Sequence, residues 1–415
     1  MLYNIGMKIA VIADAHLNKS TYKNIMDKDQ HGLPFRTADF MKSFEWMIDK
    51  VIDIKPHLLE ITGDIFDNYG PSNHVRAFFN KQMAKLRGVN IPVIVLVGNH
   101  DACMKHHALK PLQELDLGSP MIVDQPMLYN WNGVSMMLMP YSIDVEQGNI
   151  SLRDEFLKLI EDSKDDLSKN NDIFFFGHFG VRGASMSTYK GKDGVTKDFL
   201  NKSKSDISVD DLDKIGADYV FLGDYHKFQI LPTKKCKAMF TGSIEKSDIS
   251  EADQKKGFVV YDSNAEDSPD MGKCKFIEYP HCRPMLVLSG TILDMQTKLA
   301  ELDPSGYKSA IVKLVFKGDK DESNKFAIGL HDFKKKIMEK IEPVYIDTEK
   351  KVVDLKQEEE AKAIQEEILE KGQAGDEEIL QLMKDMIKER VSDAKEISEL
   401  EKMLDTIHNK VKVTQ

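Results

Sequence analysis

Two kinds of pattern alternate through the first 280 residues: short, largely apolar runs, often of β-branched residues, and longer amphipathic stretches of helix length. Runs of the first kind stand in KIAVIADAH from Lys8, HLLEITGDIFD from His57, VIVLVGNHD from Val93, NDIFFFGHF from Asn171 and ADYVFLGDYH from Ala217. A strand that is apolar at every position is covered on both faces. The alternation therefore predicts an α/β fold, and sheets of that kind gather their ligands beyond the carboxyl ends of the strands.

The ends of these runs carry the chemistry. All five finish in Asp, Asn or His, four of them directly after a glycine. A single ending of this kind is explained by a polar turn that stops a strand and caps the next helix. Five of them call for another cause. Asp14 and His16 are two residues apart and reach the same side of a strand tip. Bringing the tips together collects Asp14, His16, Asp64, Asn99, His178, Asp224 and His226. These are oxygen and imidazole donors without thiolate, suited to Mn²⁺, Fe²⁺ or Zn²⁺ more than to the all-oxygen sites of Ca²⁺, and too many for one ion. The site reads as one for two metals, with the glycines letting the backbone turn tightly beside it.

This set of motifs resembles the calcineurin-type metallophosphoesterase superfamily and, within it, the SbcD-type nucleases, the phosphoesterase half of the SbcC/SbcD double-strand-break repair complex. The resemblance covers about residues 7 to 280, through all five motifs in order, and more loosely the remainder. It implies a four-layer β-sandwich flanked by helices. It also implies that Asp14, His16 and His226 hold one divalent ion, Asn99, His178 and Asp224 the other, with Asp64 bridging and His100 as the catalytic side chain. Manganese is the first expectation for both ions, with Mg²⁺, Fe²⁺ or Zn²⁺ as alternatives. Two cations roughly 3.5 to 4 Å apart neutralise charge developing on a phosphoryl group and activate water. Histidine titrates near neutrality and, placed beside such a pair, contributes roughly 10² to 10⁴ by steadying the transition state or handing a proton to the leaving oxygen. Asp101 is read as fixing the turn or orienting His100 from behind the ligands.

Two positions depart from the commoner pattern of these relatives. Asp224 stands where many have an imidazole, which adds negative charge to the second ion's ligand set. Asp67 stands where some have a histidine that assists phosphate chemistry, and its role is left open.

Composition narrows the function. The 415 residues are enough for two or three domains, and the formal net charge is −11, which argues against bulk electrostatic affinity for DNA. Either local basic patches assist the metals or a partner supplies the grip. Candidate patches are Lys190, Lys192 and Lys197 in the polar segment after His178, Lys234 and Lys235 before the strand at Lys237, and His106 with His107 beyond GNHD. The four cysteines, Cys103, Cys236, Cys274 and Cys282, have no CxxC spacing and are expected as reduced structural thiols in a cytoplasmic compartment, bacterial or that of a phage's host. No apolar run reaches membrane-spanning length, MLYNIGMK is too short and too weakly apolar for a signal peptide, and Met7 is a candidate native start.

The expected organisation is a nuclease domain over 1–280, a small α/β domain over 281–347, and a charged linker and helical tail over 348–415. Within the second, strands are expected near Met285 to Leu288 and Ala310 to Phe316 and a helix near Phe326 to Ile341. In SbcD-like proteins a domain at this place caps the site and helps select DNA ends. The tail predicts a helix ending at Lys371 before Gly372. A second follows with Ile379, Met383, Met386 and Ile387 on one face, and a third with Ile397, Leu400, Leu404, Ile407 and Val411 at coiled-coil spacing. The resemblance implies that such helices clasp the coiled-coil root of an SbcC-type ATPase, with a homodimer inside a 2:2 complex. The resulting expectation is a metal-dependent DNA nuclease subunit, exonuclease on duplex ends and endonuclease on single strands or hairpins. The alternatives are a phosphatase or small phosphodiesterase of the same fold, and a catalytically silent scaffold for the ATPase.

Overall fold

The computed structural model describes residues 6–21, 32–103, 106–115, 118–167, 172–190, 196–200 and 206–352. Lys192 and every apolar residue singled out in the tail, Ile379 to Val411, lie outside the described residues. Lys190 and Lys197 fall in the paired strands Ser185–Lys190 and Thr196–Leu200.

Two compact units divide the chain. The first comprises Met1–Leu288, Leu302–Leu314 and Lys336–Asp347 and contains two six-stranded sheets. One sheet runs Cys274–Glu278, Gly257–Asp262, Lys8–Ile12, Leu58–Thr62, Val93–Leu96, Met121–Val123. Its last four strands are mutually parallel, and the two at the opposite edge are antiparallel. The other runs Gln229–Ile230, Lys237–Phe240, Tyr219–Gly223, Ile173–His178, Val134–Met139, Met127–Trp131, with four parallel strands between two antiparallel edges.

Burial on both faces accounts for the largely apolar runs. Val11, Leu96, Phe176, Phe221 and Met239 fill the layer between the sheets. Leu59, Ile61 and Val95 point the other way, against Phe40, Phe44 and Met47 of the helix Phe35–Ile54 and Phe79 and Met83 of the helix Asn73–Gly88. On the far side, Phe175 and Val220 pack on Phe156 and Leu159 of the helix Leu152–Ser163. The result is helix, sheet, sheet, helix, with each fully buried Phe or Leu contributing roughly 1.5 to 3 kcal/mol of transfer free energy. This is the four-layer sandwich expected from the resemblance.

The second unit comprises Ser289–Glu301, Val315–Lys335 and, among the described residues, the stretch from Thr348. Phe316 stacks on Phe326 at 4.9 Å between centroids, and Lys350 stands over the Phe326 ring. The division passes through the strands Met285–Gly290 and Ile311–Gly318 and the helix Lys320–Ile341. These are the elements expected from the apolar pattern, with the helix beginning six residues earlier than its apolar face. A helix at Ile292–Glu301 and a strand at Tyr345–Val352 are additional. The strand carries regular structure past the expected boundary at Thr348, where the charge-rich composition had suggested helix. No helix among the described residues is long and apolar enough to cross a membrane.

Candidate metal centre

The chain builds its site where the parallel strands end. Past the last strand residues, Asp14 N donates to Gly63 O at 3.2 Å, His16 N to Asp64 O at 2.9 Å and Leu17 N to Ile65 O at 2.9 Å, so the first two tips stay in register beyond the sheet. Asp14, His16, Asp64 and Asp224 all have left-handed backbone, with φ of 49°, 39°, 50° and 94°. For residues other than glycine this costs of order 1 kcal/mol or more each and gathers at functional sites. Close approach explains two of the glycines. A Cβ on Gly98 would lie 2.2 Å from Asp64 N, and one on Gly63, itself at φ 83°, would lie 2.2 Å from Nδ1 of His178. Asp101 ties the turns together, its buried carboxylate accepting from Gly98 N and Ile65 N at 3.1 Å and from Phe66 N at 2.9 Å.

Two groups of buried donors result, and Asp14 belongs to both: Asp14 with His16 and His226, and Asp14 with Asp64 and His178. Asp64 lies between them, its carboxylate 3.6 Å from Nε2 of His16 and 3.4 Å from Nε2 of His178. Asn99 adds Oδ1 at 2.9 Å from Nε2 of His178.

The protonation pattern tests whether these groups suit a cation. Nδ1 of His226 faces Glu251 Oε1 at 2.8 Å and Nδ1 of His178 faces Thr62 O at 2.7 Å. A carboxylate and a carbonyl only accept, so both Nδ1 atoms carry hydrogen, and with the rings neutral both Nε2 atoms keep a lone pair. Yet Nε2 of His226 stands 2.9 Å from Nε2 of His16, and Nε2 of His178 faces the oxygens of Asn99 and Asp64. Acceptor faces acceptor in both places, and Asp14 Oδ2 is buried without a hydrogen-bond partner. A positive charge between the facing atoms removes the conflict: a proton on Nε2 of His178 does so in the metal-free protein, and the same oxygen and imidazole donors fit divalent ions of the Mn²⁺, Fe²⁺ or Zn²⁺ kind in its place.

The same crowding shifts the titrations. Burial pushes the Asp14 carboxyl up to about 6, and lowers His16 to about 4. Burial also raises Asp64, but the imidazoles, His178 first, outweigh it and hold that carboxyl well below the ordinary range. Reciprocally, the Asp64 charge overcomes the burial of His178 and brings it up to about 10. Burial and the Asp64 charge push Asp101 up to about 7 against its three N–H donors.

His100 lies at the exposed side, with Nδ1 at 2.9 Å from Asp67 O and its ring edge-on to His16 at 4.8 Å. Asp224 donates its main-chain N–H to Asp14 Oδ1 at 3.0 Å, while its carboxylate stands in none of the compact donor groups. That carboxylate lines an open cleft of about 940 Å³ with Asn99, Tyr141, His178 and Phe179. Glu146, Asp154 and Asp206 also border the cleft, and no Lys or Arg does among the described residues.

Of the expected DNA contacts, His107 is corrected, and Lys234 and Lys235 stand away from the ligands. His107 is buried with Nε2 directed at Asp124, 3.4 Å away, so it is not available to a phosphate backbone, whereas His106 is exposed. Lys234 and Lys235 are exposed but precede Lys237–Phe240, which is parallel to Tyr219–Gly223. They therefore sit at the amino end of the sheet, roughly 13 Å or more from the ligand-bearing tips at about 3.3 Å per residue.

Three residues around the ligands, Lys19, Glu251 and Lys256, are not marked by the sequence, and a fourth, Asp67, gains a role. Asp67 directs Oδ1 at Nδ1 of His16, 3.4 Å away, and takes Lys19 Nζ at 2.8 Å. Glu251 holds His226 and takes Lys256 Nζ at 2.7 Å. Spacing offered no signal for the second pair, which meets His226 from 25 and 30 residues away.

Comparison with known proteins agrees with this construction. Residues 7–228, more than half of the chain, match the family described as calcineurin-like phosphoesterase. A stretch of 115 residues is 36% identical to the DNA double-strand break repair protein Mre11 of Sulfurisphaera tokodaii, covering 26% of this chain and 27% of that protein. A longer stretch of 225 residues is 23% identical to the uncharacterized metallophosphoesterase YhaO of Bacillus subtilis, covering 54% of this chain and 50% of that one. The matches thus span about a quarter to a half of these curated relatives. A solved dimetal phosphatase from Danio rerio aligns over 61% of this chain and 91% of its own at 10% identity and a TM-score of 0.38. With the family match running through every ligand-bearing tip, and two groups of donors suited to divalent cations at those tips, the chain belongs to the calcineurin-like, metal-dependent phosphoesterases.

Proposed function

We propose that the protein is a DNA nuclease subunit that hydrolyses phosphodiester bonds at this centre, together with an SbcC-type ATPase. The observation that carries the hydrolytic part is the joining of two cation-suited groups through Asp14 and Asp64, with His100 beside them at the exposed edge. The DNA part is supported by the similarity to a double-strand break repair protein.

Asp14, His16 and His226 would hold one ion and Asn99, His178 and Asp224 the other, with Asp64 between. Two divalent cations there would supply Lewis-acid stabilisation of charge on the phosphoryl oxygens and activate water. The rest falls to the chain itself. The Asp67 carbonyl holds Nδ1 of His100, so the protonated ring presents Nε2–H to a phosphoryl or leaving oxygen and stays in place as the proton departs. Asp101 keeps the His100 turn against the Asp64 turn through three main-chain bonds.

Among the described residues the acidic cleft carries no Lys or Arg toward a polyanion. A nuclease built this way draws its grip on the DNA backbone from the ions, from His106 and the Lys190, Lys192 and Lys197 segment, and from the partner. The same cleft favours a second reading, hydrolysis of a small phosphoester. End-labelled duplex DNA, a small phosphodiester and a phosphopeptide assayed in parallel with Mn²⁺ separate the readings. Cleavage of the duplex is expected. Turnover of the small substrates alone would overturn the nuclease in favour of a phosphatase or small phosphodiesterase, and no turnover with both ions bound would make the chain a scaffold.

A further inference from the structure

His16 and His226, the two imidazoles that face each other at 2.9 Å, each have a carboxylate behind Nδ1, a hydrogen bond at 2.8 Å for His226 and a longer approach at 3.4 Å for His16. Behind His16, Asp67 Oδ1 points at Nδ1 and is held by Lys19. Behind His226, Glu251 Oε1 meets Nδ1 while Oε2 takes Lys256 Nζ and Ser247 N. The lysines are themselves enclosed. Lys256 is fully buried and also donates to His226 O, Ser243 Oγ and Gln254 Oε1, and the Lys19 side chain is 17% exposed. His178 differs: its Nδ1 meets only the neutral carbonyl of Thr62.

We propose that Lys19–Asp67 and Lys256–Glu251 are a matched set of positioning pairs, each fixing one of these imidazoles as a ligand through Nε2 at the Asp14, His16 and His226 site. The proposal rests on the reading of that group as a cation site. A carboxylate behind Nδ1 keeps the proton there, orients the ring and raises the basicity of Nε2. The lysine supplies what an isolated carboxylate lacks. Asp67 is close enough to His16 and His100 to be drawn toward a cation itself, and the ion pair to Lys19 holds its Oδ1 on the Nδ1 side. Glu251 is held still more completely, since both its oxygens are engaged. The pairs come from unrelated parts of the chain: Lys19 and Asp67 follow the first two strand tips by three residues, whereas Glu251 and Lys256 flank the turn before the strand Gly257–Asp262. In this account Asp67, where some relatives have a histidine, positions a ligand from behind.

The test is Mn²⁺ binding to the full chain, read from the loss of the free-ion paramagnetic resonance signal, for wild type, Asp67→Asn, Glu251→Gln and Lys256→Met. Asn and Gln preserve shape and an acceptor oxygen while removing the charge. Wild type is expected to bind two ions. Each variant is expected to lose roughly 10- to 100-fold in affinity at one site and to keep the other. A wild type that binds fewer than two ions would sink the site reading, and the pairs with it. Variants that bind like a two-ion wild type would overturn the pairs alone. Equal loss at both sites, with a lower melting temperature of the metal-free variant, would assign these residues to the fold and reject positioning.

Discussion

The main-chain N–H of His100 donates to Oδ1 of Asp64 at 2.8 Å. The candidate catalytic residue and the candidate bridging ligand are thus joined by a bond in which the imidazole takes no part. His100→Asn is therefore expected to keep this bond and the metal content while lowering Mn²⁺-dependent cleavage by roughly 10² to 10⁴. Metal analysis beside the rate measurement checks it, and loss of both ions in this variant would move His100 from chemistry to coordination.

Asp64→Asn removes the carboxylate that lies between His16 and His178 and counters both. Metal content and activity should fall together. An Asp64→Asn protein that keeps two ions per chain would show that Asp14, which belongs to both groups, is the shared ligand.

Asp224 divides two outcomes. Its carboxylate lines the cleft beside Asn99 and His178 without entering a compact donor group. If it closes on the second ion, Asp224→Ala should lose activity at limiting Mn²⁺ and regain part of it at excess, while Asp224→His keeps two ions with an altered rate. An Asp224→Ala titration that overlays wild type would remove this residue from the centre.

The metal-free protein should be more stable near pH 6.5 than near pH 8.5. Asp101, pushed up to about 7 by burial and the Asp64 charge, binds its proton more tightly in the fold than in the unfolded chain. So does His178, which the Asp64 carboxylate brings up to about 10 against burial. Stability from such groups is present at low pH and is lost as pH rises from the unfolded to the folded value, from about 4 to 7 for Asp101 and from about 6.5 to 10 for His178, so His178 carries most of the decline between 6.5 and 8.5. His16, lowered to about 4 by burial, acts with the opposite sign but only below about 6.5. Thermal melts in chelator should decline over this window. With Mn²⁺ the trend should reverse, since ligands must shed protons to bind.

If the tail carries the proposed contact with an SbcC-type ATPase, removing the residues after Gly375 should leave hydrolysis of a small ester unchanged and abolish co-purification with that ATPase. A truncated chain that still co-purifies would place the partner's contact elsewhere.

The strand tips were legible because both of their signals are local. An apolar run reports burial on two faces, and a glycine followed by Asp, Asn or His reports its end, so Asp64, Asn99 and His178 could be placed at one rim without coordinates. Amphipathic spacing likewise marked the helix over Phe326 to Ile341. The surroundings of the ligands were not legible. Glu251 and Lys256 reach His226 across 25 and 30 residues, and Asp67 reaches His16 across 51, by contacts that no periodicity encodes. The burial of His107 beside Asp124 and the strand direction that carries Lys234 and Lys235 to the far end of the sheet are of the same kind. Which polar residues end the strands, and that these ends gather at one rim, follows from the sequence alone, because burial and turn formation act over a few neighbouring residues. Which nitrogen each histidine offers, and which charge stands behind it, was decided only by the tertiary structure, because electrostatic and hydrogen-bonding energies depend on distances in space that chain separation does not set.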